Sequence, residues 1–211
     1  FRRVLFRSGL VVSGSRGDVQ PMLAVTLGLR DAGHDAVAFC SPDNAAWAQH
    51  LGCRFVSIGE PLRENASLTD WGARDFDPFI RRQTAIQGRD LPWLAAGCDL
   101  LVGSGLAFGV PLVAERLRIP YRYVSFVPAS FLGTTRDPIA TRLTRAAADR
   151  YADLRYGAAL DAARRSLALE PAEEALAREQ VRVEHLQCDG AAPVAAVRFT
   201  GRVRQEDATH P

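Results

Sequence analysis

The chain has 211 residues, 47% of them hydrophobic, which is enough to bury the core of one sizeable α/β domain or two small ones. No apolar run approaches the roughly 20 residues that span a bilayer, so no stable membrane insertion is expected, and with no signal-peptide pattern at its start the expected location is cytoplasmic. Its formal charge of +2 includes Arg2, Arg3 and Arg7; without them 23 basic residues face 24 acidic ones, and no arginine-rich run with interleaved aromatics suggests nucleic-acid binding.

Those three arginines lie in the octapeptide Phe1–Ser8, which matches one reading frame of a common sequencing-library adapter and is set aside as non-native. Every basic residue is Arg. The absence of Lys rules out a Walker-type phosphate loop and a Schiff-base nucleophile within this chain. Cys40, Cys53, Cys98 and Cys188 form no C-x-x-C pair, and His34, His50, His185 and His210 show no ligand spacing, so no metal site is expected and the thiols read as free.

In chain order, Leu10 to Ser13 is an apolar strand that runs into the turn Gly14-Ser15-Arg16-Gly17 and then into a helix beginning at Asp18. Leu23, Val25, Leu27 and Leu29 give that helix an apolar face, and Gly33 after Asp31-Ala32 is a natural stop. Asp35 to Cys40 is a second strand. Ser41-Pro42-Asp43 opens a helix to about Leu51, closed by Gly52, and Arg54 to Ile58 is a third strand. Alternation at this spacing predicts right-handed crossovers and a parallel, doubly wound α/β sheet.

The pattern then breaks. Gly59 to about Trp71 reads as a loop, followed by a helix from Asp77 or Pro78 to about Gln87. Asp99 to Val102 is a strand, Gly103-Ser104-Gly105 a turn, Val110 to Leu117 a helix, and Tyr121 to Val127 another strand stopped by Pro128. Asp137 to Leu169 is rich in helix formers and reads as two helices; Glu170 to Glu184 reads as a further helix and Pro193 to Phe199 as a late strand. One domain over 9–200 is expected, with 201–211 starting a linker to a domain that is not present.

The strand-turn-helix at Gly14 to Asp18 is where chemistry is expected, because helix amino termini at the carboxyl edge of such a sheet present unpaired N–H groups and partial positive charge. It is not a dinucleotide fingerprint: the spacing is G-x-x-G, and the second strand ends in Phe39-Cys40-Ser41 without an acid for a ribose. Gly103-Ser104-Gly105 is one residue short of a nucleophile elbow, which argues against a hydrolase. Arg16-Gly17-Asp18 inside a turn is weak evidence for an adhesion motif. By residue type alone Asp18 is either a helix cap or a desolvated general base, and Arg16 either an anion contact or a solvated turn residue.

Two blocks, Gly14-Ser15-Arg16-Gly17-Asp18-Val19-Gln20-Pro21 and Leu27-Gly28-Leu29-Arg30-Asp31-Ala32-Gly33-His34, resemble in content and order the opening pattern of GT-B glycosyltransferases, in the group of sterol glucosyltransferases and glycopeptide and related antibiotic glycosyltransferases. Ser41-Pro42 with Gly52, Ile119-Pro120-Tyr121 and Arg164-Arg165-Ser166-Leu167-Ala168-Leu169 are similar to later landmarks. The likeness runs from Gly9 to about Gly201 and is weak between Gln180 and Ala192.

The resemblance implies a Rossmann-like lobe that binds the acceptor, facing a second, absent lobe that binds the donor, and inverting transfer of a hexose from a UDP- or TDP-sugar to a hydroxyl of a lipophilic acceptor (sterol, lipid, polyketide or glycopeptide-like), with no cofactor. It makes Asp18 the base and sets Gly14, Ser15 and Arg16 toward the donor. No Asp follows the turn at Gly103-Ser104-Gly105 to serve a relay of the kind used by family members with a His base, so Ser104 is left as a polar neighbour.

Acceptor contacts are sought at Trp71, Phe76, Phe79, Ser104, Phe108, Phe126 and Phe131; for each aromatic the alternative is ordinary core packing. His34 reads as a helix-end histidine, and Trp47 and Met22 as core. A lone lobe is expected to be inactive. The competing class is a small-molecule-binding module that kept the fold; a peptidoglycan-precursor transferase of related fold fits less well because its opening turn differs.

Overall fold

The computed structural model describes residues 6–62, 73–124, 126, 154, 156–169, 180–186 and 194–200, with the backbone alone for 73–77 and for the last two segments. Its elements are β1 (Arg7–Ser13), α1 (Arg16–Asp31), β2 (Asp35–Cys40), a single 3-10 turn at Pro42–Asn44, α2 (Ala45–His50) and β3 (Phe55–Ser57). These are followed by α3 (Ala73–Leu94), β4 (Leu100–Gly105), α4 (Val110–Leu117), β5 (Tyr121–Val124), helix α5 over 156–166, and the strands β6 (Gln180–Leu186) and β7 (Val194–Thr200).

Seven strands form one sheet in the order β3-β2-β1-β4-β5-β7-β6. The first five are mutually parallel, as the alternation predicts; β7 pairs antiparallel with β5, and β6 antiparallel with β7. The sheet is therefore mixed, its parallel part extended at one edge by a hairpin.

The strands alternate their side chains between two apolar layers. Leu10, Val12, Ala36, Ala38 and Cys40 face Val19, Met22 and Leu23 of α1 and Ala48 of α2. Val11, Val37, Phe39, Leu101 and Tyr121 face Leu91 of α3, Val110 and Val113 of α4, and Ala163 and Leu167 at the end of α5. Each of the larger side chains contributes on the order of 1.5–3 kcal/mol through burial. Arg164 of α5, itself buried, reaches Glu115 of α4 through two bonds of 2.9 Å, a paired geometry that fixes one helix against the other.

Several boundaries differ from those the sequence predicts, for identifiable reasons. β1 starts at Arg7, inside the octapeptide set aside, because the Arg7 N–H donates to Asp99 Oδ2 at 2.8 Å and Ser8 is buried opposite Ala36. α3 runs through Gly88 to Leu94: Gly88 is a contact point, where an added β-carbon would stand 3.7 Å from that of Ala163. Gly103-Ser104-Gly105 belongs to β4 and is not a turn, since Val11, Val12 and Ser13 continue to pair with it. Gln180 to Leu186 is strand, correcting the end of the expected helix: Val181 and Val183 alternate with Arg182 and Glu184, a two-residue period that outweighs the helix propensity of Glu and Arg.

The tail 201–211, Cys188 and most of the expected helical stretch from Asp137 lie outside the described residues. Cys40, Cys53 and Cys98 are free and buried; burial raises all three thiols, Cys40 to about 12, leaving them unreactive near neutrality.

Candidate active site

β1 lies between β2 and β4, and its end opens onto the edge of the sheet where the parallel strands finish. There Ser15 takes an extended conformation as N-cap of α1, and Asp18 sits three residues later in the first turn. Oδ2 of Asp18 accepts the Ser15 N–H at 2.9 Å and the Ser15 hydroxyl at 3.1 Å. Among the described residues Oδ1 has no hydrogen-bond partner. The helix thus begins at Arg16, not at Asp18, and Ser15 is its N-cap; one oxygen of Asp18, at the third helical position, braces that cap, and the other is left for a further partner.

Two glycines make room for this carboxylate. At Gly14, with φ 154°, an added β-carbon would collide with Asp18 Oδ2; at Gly105, with φ 64°, it would collide with the Ser13 carbonyl and stand 3.4 Å from Asp18 Cγ. Gly105 needs the left-handed conformation, which costs other residues strain. Its position is held from both sides of the strand end: the Leu106 N–H donates to the Ser13 carbonyl at 2.6 Å, and the Tyr123 hydroxyl donates to the Gly105 carbonyl at 3.0 Å. Burial first, and then the charge of Asp18, push the Tyr123 phenol above the usual tyrosine range, so it stays protonated and able to donate.

Behind this edge Gln87, buried on α3, closes the segment after β4. Its Oε1 accepts the Gly109 N–H at 2.8 Å, and its Nε2 donates to the Leu106 carbonyl at 3.3 Å. Tyr123 and Gln87 are not among the residues the sequence singles out, and Gly105 enters the sequence reading only as part of a turn. An inward polar residue within an apolar helix face is the signal that could have found Gln87.

The structure brings Gly14, Ser15 and Asp18 together and turns Arg16 aside, its guanidinium 4.9 Å from the ring centroid of Trp47 on α2. Trp47, half-buried, packs at the border of the α1 layer. Ser104 is 1% exposed, points with Val102 away from the α3 layer, and its hydroxyl has no hydrogen-bond partner among the described residues. Phe108 follows β4 and stacks on Tyr156 of α5 with centroids 5.5 Å apart, while Phe126, after β5, is exposed. Phe79 is 2% exposed on α3 and is packed within the protein in this structure. Trp71 and Phe131, and the side chain of Phe76, lie outside the described residues. Among the described residues no group of three His, Cys, Asp or Glu side chains gathers as a metal site.

A five-stranded parallel sheet in this order, covered by helices on both faces and with a half-buried carboxylate at the carboxyl edge of its central strand, defines a Rossmann-like α/β lobe. No protein-family model matches the chain. The vancomycin aglycone glucosyltransferase of Amycolatopsis orientalis is 33% identical over 183 residues, covering 78% of this chain and 44% of that protein. The sterol 3-beta-glucosyltransferase of Eremothecium gossypii is 32% identical over 120 residues, 54% of this chain and 10% of that protein. Among solved structures, the calicheamicin glycosyltransferase CalG4 superposes with a TM-score of 0.56 at 16% identity, covering 81% of this chain and 45% of the other. The chain is a homologue of the glycopeptide-antibiotic and sterol glycosyltransferases and has the fold of a GT-B lobe; it spans about half the length of the curated antibiotic glycosyltransferases it matches.

Proposed function

We propose that this chain is the amino-terminal, acceptor-binding lobe of an inverting glycosyltransferase that moves a hexose from a UDP- or TDP-sugar to a hydroxyl of a lipophilic acceptor of the sterol, lipid, polyketide or glycopeptide type. The observation that carries the reading is the Asp18 carboxylate beyond the end of the central strand, one oxygen committed to Ser15 and the other without a hydrogen-bond partner among the described residues. That second oxygen takes the proton of the acceptor hydroxyl, the hydroxyl oxygen attacks the anomeric carbon from the face opposite the nucleotide, and the nucleoside diphosphate leaves as the new bond forms. Inversion follows from the single displacement.

Gly14 and Ser15 stand beside the carboxylate and, with Arg16, whose guanidinium lies over Trp47, are the groups this reading sets toward a donor held by the opposing lobe. Phe108 and Phe126 follow the neighbouring strands at the same edge of the sheet and supply apolar surface for an acceptor. The reaction in this reading needs no cofactor beyond the sugar nucleotide and takes place in the cytoplasm, and the lobe by itself does not turn over.

The test uses the protein with its nucleotide-sugar-binding lobe, an acceptor panel, and Asp18→Asn. Loss of a general base lowers kcat by about 10²–10⁴-fold with the fold retained by circular dichroism. Full activity in a folded Asp18→Asn enzyme removes Asp18 from this role.

A further inference from the structure

Resting on the assignment of Asp18 as base, we propose that Tyr123 is its positioning residue: by holding the Gly105 carbonyl, the phenol fixes the end of β4 against which the Asp18 carboxylate rests. Gly105 is the one described residue of β4 in the left-handed region, and it lies where any side chain would strike the Ser13 carbonyl. A glycine peptide there is intrinsically free to rotate. The hydroxyl of Tyr123, from the next strand and at 3.0 Å, restrains that rotation through the carbonyl.

The same carboxylate is held by Ser15, and a β-carbon built on Gly105 would stand 3.4 Å from its Cγ, so the end of β4 lies close to it. Tyr123 is assigned no contact with substrate or with the transferred proton. It acts on the reaction through Gly105 and Asp18 alone. The high pKa of the phenol keeps the bond in place into the alkaline range.

Tyr123→Phe, Asp18→Asn and the double variant are compared in the protein carrying both lobes. Tyr123→Phe is expected to lower kcat by about tenfold through loss of alignment, with acceptor KM within about twofold. The double variant is expected to be no slower than Asp18→Asn, because Tyr123 has nothing left to position.

If Asp18→Asn is inactive while Tyr123→Phe keeps wild-type kcat, the Tyr123 assignment is overturned and the base assignment stands. The Tyr123 assignment is equally overturned if Tyr123→Phe loses only thermal stability, or if its loss of rate adds in full to that of Asp18→Asn. If Asp18→Asn is fully active, both assignments fall together.

Discussion

Two short stretches of this chain have nearly the same composition and opposite fates. In the first, Gly14 and Ser15 leave β1, Ser15 is exposed and caps α1, and Arg16 and Gly17 open the helix; Gly103-Ser104-Gly105 continues β4, stays in register with Val11 to Ser13 and buries its serine. The difference lies in the residues downstream of each. After Gly14 the chain finds Asp18 three residues beyond the serine, and a reciprocal cap becomes possible; after Ser104 no acid is in reach, and pairing with β1 is the alternative that satisfies the backbone. Glycine and serine therefore mark both places as unusual without saying which will carry a ligand.

The contrast can be broken most severely at Gly105. Gly105→Ala forces a side chain onto a left-handed residue and into the Ser13 carbonyl, and a loss of about 3 kcal/mol is expected in urea unfolding, whereas Gly28→Ala, with open space around it, should be neutral or stabilising. A Gly105→Ala protein of native stability would mean that the strand end is not held as described. Gln87→Leu strands the buried Gly109 N–H and frees the Leu106 carbonyl, at an expected cost of about 2 kcal/mol by the same measurement. The smallest effect separates the two serines themselves. Ser15→Ala should cost about 1 kcal/mol as a lost cap interaction, and Ser104→Ala close to nothing or a slight gain, because that hydroxyl is buried without a partner among the described residues; equal losses at both would erase the distinction.

Most of the parallel sheet could be read from the residues. β2 and α4 fall where the apolar runs and Pro111 place them, and Gly33, at φ 85°, ends α1 while the His34 N–H returns to the Leu29 carbonyl, as a glycine stop requires. The parts that could not be read were set by distant regions of the chain. Gly88 looks like a helix end until Ala163 is packed on it, and the mixed edge of the sheet depends on β7 meeting β5 some 70 residues away in sequence. The candidate site divides the same way. Ser15 and Asp18 are local to one turn and legible together, whereas Tyr123, Gly105 and Gln87 join them only through pairing and packing. Ser104 reads as a turn residue because its neighbours are glycines, a pattern that strands and turns share.

If Arg16 serves the donor as proposed, its guanidinium, lying over the Trp47 ring, sets a threshold for anions. A phosphate that recruits Arg16 must first lift it from the indole, and at an exposed position that exchange subtracts about 0.5–1 kcal/mol, a factor of roughly two to five in affinity. Weak anions would leave the arginine parked on α2, while a diphosphate presented by an opposing lobe could draw it across, so the same residue would discriminate between stray ions and a delivered co-substrate.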